Sequence, residues 1–239
     1  MQNYQVLDWD SEILGVKTAK ILPERLVVSE LASLLSTLQA QKIQLVFWAS
    51  AADDVPSQQA AQEFSGFLAD QKVTYWVDLA NHVMADIDLS EVESYTETVA
   101  TPELHQLAFE IAAFSRFGTD PRILPEKMRQ IYKTWIENSV KRQVAKEVLV
   151  IKQHGKVVGM TTLGEKNGRG DIGLLAVDPD CRGMKLGTKL VAASQRWCVQ
   201  QGYRWGQVVT QLTNPTACKL YEKGGYRVDK VEHFYHFWL

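Results

Sequence analysis

Residues 181–191, Cys-Arg-Gly-Met-Lys-Leu-Gly-Thr-Lys-Leu-Val, place two glycines and three cations where an apolar run turns into a helical pattern. A strand that feeds straight into a helix leaves the first helical N–H groups without intrahelical partners. The helix dipole makes that spot favourable to anions, and glycines let a phosphate come close to main-chain N–H groups. Arg182, Lys185 and Lys189 add positive charge at the same end. The chemistry this spacing offers is phosphate binding; the alternative is a plain strand-to-helix turn with a glycine hinge. Two familiar phosphate loops are excluded. The dinucleotide fingerprint needs three glycines, and the ATP-binding loop needs Gly-Lys-Ser/Thr after a longer spacing.

The elements that position this turn are readable from residue 90 onward. Thr101 and Pro102 open a helix with Leu104, Leu107, Ala108 and Ile111 at helical spacing, and Pro125 opens a second with Met128, Ile131 and Trp135. Residues 147–163 read as two strands around a glycine-containing turn. Residues 171–177 form a third strand, whose continuous apolar character predicts burial on both faces. A helix over 187–201, a strand over 204–212, a short helix from Asn214 and a closing aromatic strand complete an α/β domain.

The first 85 residues follow helix-strand-helix-strand order: 26–41, 42–50, 57–71 and 72–79. This repeats the order of 187–238 and predicts a degenerate half-copy without the Arg-Gly-rich turn. The expected division is 1–89 and 90–239.

Composition narrows the function classes. The 239 residues carry a net charge of −2, which gives no support for nucleic-acid binding. The charge is uneven: residues 181–239 hold nine Lys/Arg against three Asp/Glu, whereas the rest hold seventeen against twenty-five. The C-terminal region therefore suits an anionic ligand. No apolar run is long enough to cross a bilayer, the start lacks a signal-peptide pattern, and three scattered cysteines do not suggest a disulfide framework. A cytoplasmic protein without membrane or nucleic-acid partners is expected.

The turn, together with "TNPTACKLYEKGGY" some thirty residues later, resembles the GCN5-related N-acetyltransferases. The second motif is complete in Asn214, Ala217, Leu220, Tyr221 and Gly225, with Tyr226 in place of Phe. The first has Arg182 and Gly187, but Lys185 stands where a glycine is usual. A residue at a helix start is expected to have negative φ, which would make Lys tolerable there.

The resemblance implies a mixed central sheet flanked by helices and acetyl-CoA as cosubstrate, with no metal. Its pyrophosphate would lie on Arg182, Gly183, Lys185, Leu186, Gly187 and Thr188. Strand 171–177, splayed from its neighbour, would meet the thioester and pantetheine arm through backbone groups near Leu174, Leu175, Ala176 and Val177. Asn214 would bind the pantetheine amide. Tyr221, two helical turns further on, would give its proton to the departing thiolate, since a phenol is protonated at neutral pH. Glu165, His154 or a water chain are the candidates for the base. Cys181 has no His/Asp arrangement beside it, so direct transfer in a ternary complex is preferred to an acetyl-cysteine route.

A narrower resemblance, carried by "WDSEILGVKTAKI", "FSRFGTDPRIL...WIENS" and "FYHFWL", is to the TDP-fucosamine (TDP-4-amino-4,6-dideoxy-D-galactose) N-acetyltransferases. It implies a small-molecule amine, a TDP- or UDP-linked amino sugar, as acceptor, with Arg116, Phe117 and Asp120 on a loop over the acceptor side and Glu165 near it. An Arg fork matches phosphate oxygens, although Arg116 and Asp120 could instead form a capping or surface ion pair. The same reaction on another small amine or a peptide N-terminus, and a non-catalytic acyl-CoA-binding module, are the alternatives. The aromatic last strand is a candidate for pairing two copies into a homodimer.

Overall fold

The computed structural model describes residues 3–84 and 86–239. In chain order the elements begin with β1 (Tyr4–Val6), α1 (Asp8–Leu14), β2 (Thr18–Ile21), α2 (Val28–Ala40), β3 (Leu45–Ala51), α3 (Val55–Glu63) and β4 (Phe67–Asp78). Next come β5 (Val92–Ser94), α4 (Pro102–Ala112), α5 (Arg116–Thr119), α6 (Pro125–Val140), β6 (Glu147–Gln153), β7 (Lys156–Lys166) and β8 (Arg169–Val177). After a 3-10 turn (Pro179–Cys181) the chain ends with α7 (Leu186–Gln200), β9 (Trp205–Gln211), α8 (Pro215–Lys223) and β10 (Arg227–Trp238). Three helices start on sequence signals: the side chains of Asp54, Thr101 and Asn214 accept an N–H from the first turn, with proline inside that turn. No helix is long and apolar enough to cross a membrane among the described residues.

The chain forms two compact units that are interleaved in sequence, whereas the expected 1–89/90–239 division is a linear one. One unit comprises Met1–Lys72, Ser115–Met128 and Val231–Leu239; the other comprises Val73–Phe114 and Arg129–Lys230. In the first, β1 pairs antiparallel with β2, β2 parallel with β3, and β3 antiparallel with β10, from Leu45 opposite Trp238 to Ala51 opposite Glu232. Every residue of β3 is buried. One side of it, Val46 and Trp48, packs with Leu31, Leu35 and Leu38 of α2 and Ala60 and Ala61 of α3.

In the second unit β5, β6, β7 and β8 pair antiparallel in succession, and β8 pairs parallel with β9. Leu186 and Leu190 of α7 pack on Ile151 and Val158 of the β6–β7 hairpin. Both units thus carry a mixed sheet with helices on it.

Two expectations about elements are corrected. The helix read over 57–71 ends at Glu63, and Phe67–Gln71 belong to β4. Ser65 takes φ of 53° and the Gly66 N–H returns to the Ala61 carbonyl, so the chain turns out of the helix before Phe67. β8 is not buried on both faces. Ile172, Leu174 and Ala176 are buried, Gly173 is exposed, and Asp171, Leu175 and Val177 are partly exposed. β1, α1, β2 and β5 were not anticipated.

The helix-strand-helix-strand order recurs at a fixed separation. Adding 160 to the bounds of β3 gives those of β9, and adding 160 to those of β4 gives those of β10. The same offset relates the capping residues Asp54 and Asn214, the helix ends Gln41 and Gln201, and two pairs of left-handed residues, Lys42 with Gly202 and Ser65 with Gly225. No insertion or deletion interrupts residues 28–78 relative to 188–238. The preceding turns differ in length, six residues between β2 and α2 against eight between β8 and α7.

Candidate active site

The strand-to-helix turn after β8 is folded around its own carboxylate and two left-handed residues. Asp178 accepts the Asp180 N–H at 2.9 Å, Gly183 has φ of 84°, and Lys185 has φ of 63°. Lys185 thus adopts the backbone conformation that favours glycine, not the negative φ expected of a helix start. Its exposed side chain is what the turn tolerates.

The N–H groups of residues 183 to 188 meet no acceptor among the described residues, and Lys189 is the first of α7 to bond backward, to the Lys185 carbonyl at 3.1 Å. Six amides in sequence with a helix dipole behind them are an arrangement whose chemistry suits an anion. Gly187 permits close packing of α7 on α8, because a Cβ there would lie 3.2 Å from Leu220 Cδ2. Arg182 pairs with Glu110 at 3.0 Å and Lys189 with Glu91. Both pairs reach solvent, so exchanging a carboxylate for a phosphate costs little.

β8 leaves its parallel neighbour early. The ladder with β9 covers only Gly170–Ile172 against Gly206–Val208, although β8 runs on to Val177 and β9 to Gln211. This is the expected splay. On its other edge β8 carries one extra residue: Gly173 and Leu174 together face Thr162, between the pairs Leu163–Ile172 and Thr161–Leu175. The Leu174 N–H donates to Thr162 Oγ1 at 2.8 Å.

Beyond the splay, Asn214 caps α8, its Oδ1 accepting the Ala217 N–H at 3.1 Å. Its Nδ2 donates to no acceptor among the described residues. Tyr221 is 5% exposed. Its ring packs against those of Tyr75 and Tyr226, with centroids 6.2 and 6.0 Å away. Burial pushes the Tyr221 phenol well above its usual range, with Cys218 and Asp171 adding to the effect. It is therefore protonated at any physiological pH.

The base candidates read from sequence lie at strand ends and turns. Glu165, near the end of β7, is exposed and accepts the Gly168 N–H of the following turn at 2.7 Å, and His154 sits exposed in the β6–β7 turn with φ of 50°. Cys181 is partly buried beside Gln153. A further carboxylate, not among those candidates, lies on β8. Asp171, on β8 itself, accepts from Gln207 Nε2 at 2.8 Å. Burial raises its pKa, opposed by that bond and by Lys166. The available signal was an acidic residue opening an otherwise apolar strand. Among the described residues no group of three His, Cys, Asp or Glu is arranged to hold a metal.

Arg116, Phe117 and Asp120 lie in the first unit. Arg116–Thr119 form one helical turn, and Phe117 and Asp120 are each 1% exposed. Arg116 stacks over Phe47, Phe117 and Phe234 and lies 3.9 Å from Asp10. Asp120 accepts from His236 Nδ1 at 2.8 Å, Trp238 Nε1 at 2.9 Å and Arg122 Nε at 3.0 Å. Burial pushes the Asp120 carboxyl up, but these bonds together outweigh it and hold it well below the ordinary range. Arg116 and Asp120 therefore have separate partners.

Comparison with known proteins fits this geometry. The chain is 31% identical over 135 residues to a dTDP-fucosamine acetyltransferase of Escherichia coli, covering 56% of this chain and 57% of that one. It is 27% identical over 138 residues to the spore coat polysaccharide biosynthesis protein SpsD of Bacillus subtilis, covering 58% and 47%. The matched segments span about half the length of these relatives. A GCN5-related N-acetyltransferase from Sphaerobacter thermophilus has a similar fold, with a TM-score of 0.62, 16% identity, and coverage of 98% of this chain and 75% of that one. The acetyltransferase (GNAT) family model matches residues 107–226, which takes in the amides from Gly183 to Thr188, the splayed strand and the Asn214–Tyr221 helix, and the chain belongs to that family.

Proposed function

We propose that the protein transfers an acetyl group from acetyl-CoA to the amino group of a nucleotide-linked amino sugar, by direct attack in a ternary complex. The observation that carries this reading is the run of unbonded N–H groups from Gly183 to Thr188 beside the edge of β8 that β9 has left. The first suits a pyrophosphate and the second a pantetheine arm, with Asn214 Nδ2 as a further donor to the arm's amides. Arg182, Lys185 and Lys189 supply charge at the phosphate end.

In the transfer, the acceptor nitrogen bonds to the thioester carbonyl carbon and the carbon–sulfur bond breaks. Successive strand amides alternate direction. With the Leu174 N–H turned to Thr162, the Leu175 N–H is turned to the open edge, where it can stabilise charge on the carbonyl oxygen. Tyr221 gives its proton to the leaving thiolate. Asp171 takes the proton the amine loses, its raised pKa bringing it nearer the working pH of a base. The amino-sugar acceptor rests on the likeness to the dTDP-fucosamine acetyltransferase.

The test is free-thiol release from acetyl-CoA with a panel of TDP- and UDP-linked amino sugars beside polyamines and peptides. Release confined to a nucleotide amino sugar, with intersecting initial-rate lines, supports the proposal. Turnover of a polyamine or peptide alone overturns the acceptor. Absence of acetyl-CoA binding overturns the whole reading.

A further inference from the structure

We infer that Tyr75, on β4, is a positioning residue that fixes the aim of the Tyr221 hydroxyl by tethering the turn of α8 that carries it. The inference rests on the reading of Tyr221 as the proton donor. By chain, β4 belongs to the N-terminal run, yet Tyr75 lies in the same compact unit as α8. It is 1% exposed, and its ring packs on the Tyr221 ring at a centroid distance of 6.2 Å and an interplanar angle of 45°. Its hydroxyl donates to Glu222 Oε1 at 2.9 Å.

Glu222 is the residue after Tyr221. One contact therefore supports the ring, and the other fixes the rotation of the helical turn that bears it. Tyr226 also packs on the Tyr221 ring, and the end of α8 is tied to α7 by the bond from Gln195 Nε2 to the Gly224 carbonyl at 2.6 Å. Tyr221 itself has no hydrogen bond to its hydroxyl among the described residues. Its direction is set by these neighbours alone.

The corresponding position 160 residues later provides a control within the molecule. Tyr235 of β10 also packs in a core beneath a helix, with Ala60 and Ala61 of α3, and its hydroxyl has no protein partner among the described residues. Position 61 corresponds to 221 and carries alanine. Where the helix has no tyrosine to aim, the strand tyrosine makes no tether. A phenylalanine would fill the space beside Tyr221 equally well, so the Tyr75 hydroxyl serves the bond and not the packing.

The test uses Y75F, E222A, Y221F and the doubles Y75F/E222A and Y75F/Y221F in the full-length protein. Thiol release is followed with dTDP-4-amino-4,6-dideoxygalactose, and 19F spectra are taken of protein carrying 3-fluorotyrosine at position 221. The tether predicts that Y75F and E222A each lower kcat by about tenfold or more with KM for acetyl-CoA unchanged, a loss typical of slight misplacement of a reacting group. The double Y75F/E222A should be no worse than either single change, and Y75F should have no further effect in the Y221F background. The fluorine signal of residue 221 should shift or broaden in Y75F and in E222A.

An equal kcat loss from Y75F with Tyr221 present or absent would overturn the inference and leave Tyr75 as packing. An unmoved fluorine signal in both variants would overturn it whichever acceptor is used. If Y221F alone leaves kcat unchanged, it is the proton-donor reading that fails, and the tether's purpose fails with it.

Discussion

Residues 28–78 and 188–238 share a frame and differ in what hangs on it. In both, a helix of three to four turns ends at a glutamine, a seven-residue strand follows, a capped nine-residue helix closes on a left-handed residue, and a twelve-residue strand completes the run. In the second run the turn before the first helix is eight residues long, and the six amides from Gly183 to Thr188 meet no acceptor among the described residues. In the first it is six residues long and is fastened shut. Ser57 Oγ accepts the Leu26 N–H and donates to the Leu26 carbonyl at 3.0 and 3.3 Å, the Trp48 indole donates to the Pro23 carbonyl at 2.7 Å, and Arg25 bridges Asp53 and Asp54. The same backbone can thus be a ligand seat or a filled core. A few side chains decide which, and we read the first run as a degenerate copy of the second.

The sharpest way to break this comparison is at positions 61 and 221. Y221F should lower kcat by about a hundredfold or more, the scale of a lost general acid, with acetyl-CoA affinity retained. Equal turnover of wild type and Y221F would leave the two helices functionally alike. A smaller loss is expected for D171N, about tenfold to a hundredfold in kcat/KM. The sign of its pH dependence follows from the raised Asp171 pKa: wild-type kcat/KM should fall as pH drops through a value above the ordinary carboxylate range, because the base is then protonated. D171N should lack that acid limb, and a retained limb would assign it to another group.

On the filled side, S57A should cost about 1–3 kcal/mol of stability by leaving the buried Leu26 amide without its acceptor. Chemical denaturation measures this. Acetyl-CoA affinity by calorimetry should be unchanged, with one site per chain in both proteins; a change in stoichiometry would mean that the first run also binds. The smallest effect is expected at the turn itself. K185G should raise stability by up to about 1 kcal/mol, since glycine carries no penalty for a positive φ, while acetyl-CoA binding weakens and becomes less salt-sensitive as one cation is lost. A drop in melting temperature would show that Lys185 is held by more than its backbone.

Much of this was legible in the residues. Asn214, Pro215, Tyr221 and Gly225 specify a capped helix with a tyrosine two turns along, because caps, proline and helical period act over a few residues. Arg182, Gly183 and Gly187 likewise mark a turn that can seat an anion. The order of elements in both halves follows from local patterns.

What local pattern cannot carry is pairing. That β8 parts from β9 after Ile172 depends on a ladder between strands more than thirty residues apart, and the same ladder sets Asp171 opposite Gln207 and leaves Leu175 beyond the last pair. The left-handed conformation of Lys185 runs against its residue type, and the positive φ is a property of the folded turn that residue type does not signal. Tyr75 meets Glu222 across 147 residues of chain, and Asp120 meets His236 across 116. The sequence determined which groups are present and which local shapes they take. Only the tertiary structure decided which distant groups are buried against each other, because burial and strand pairing are set by the whole chain closing on itself.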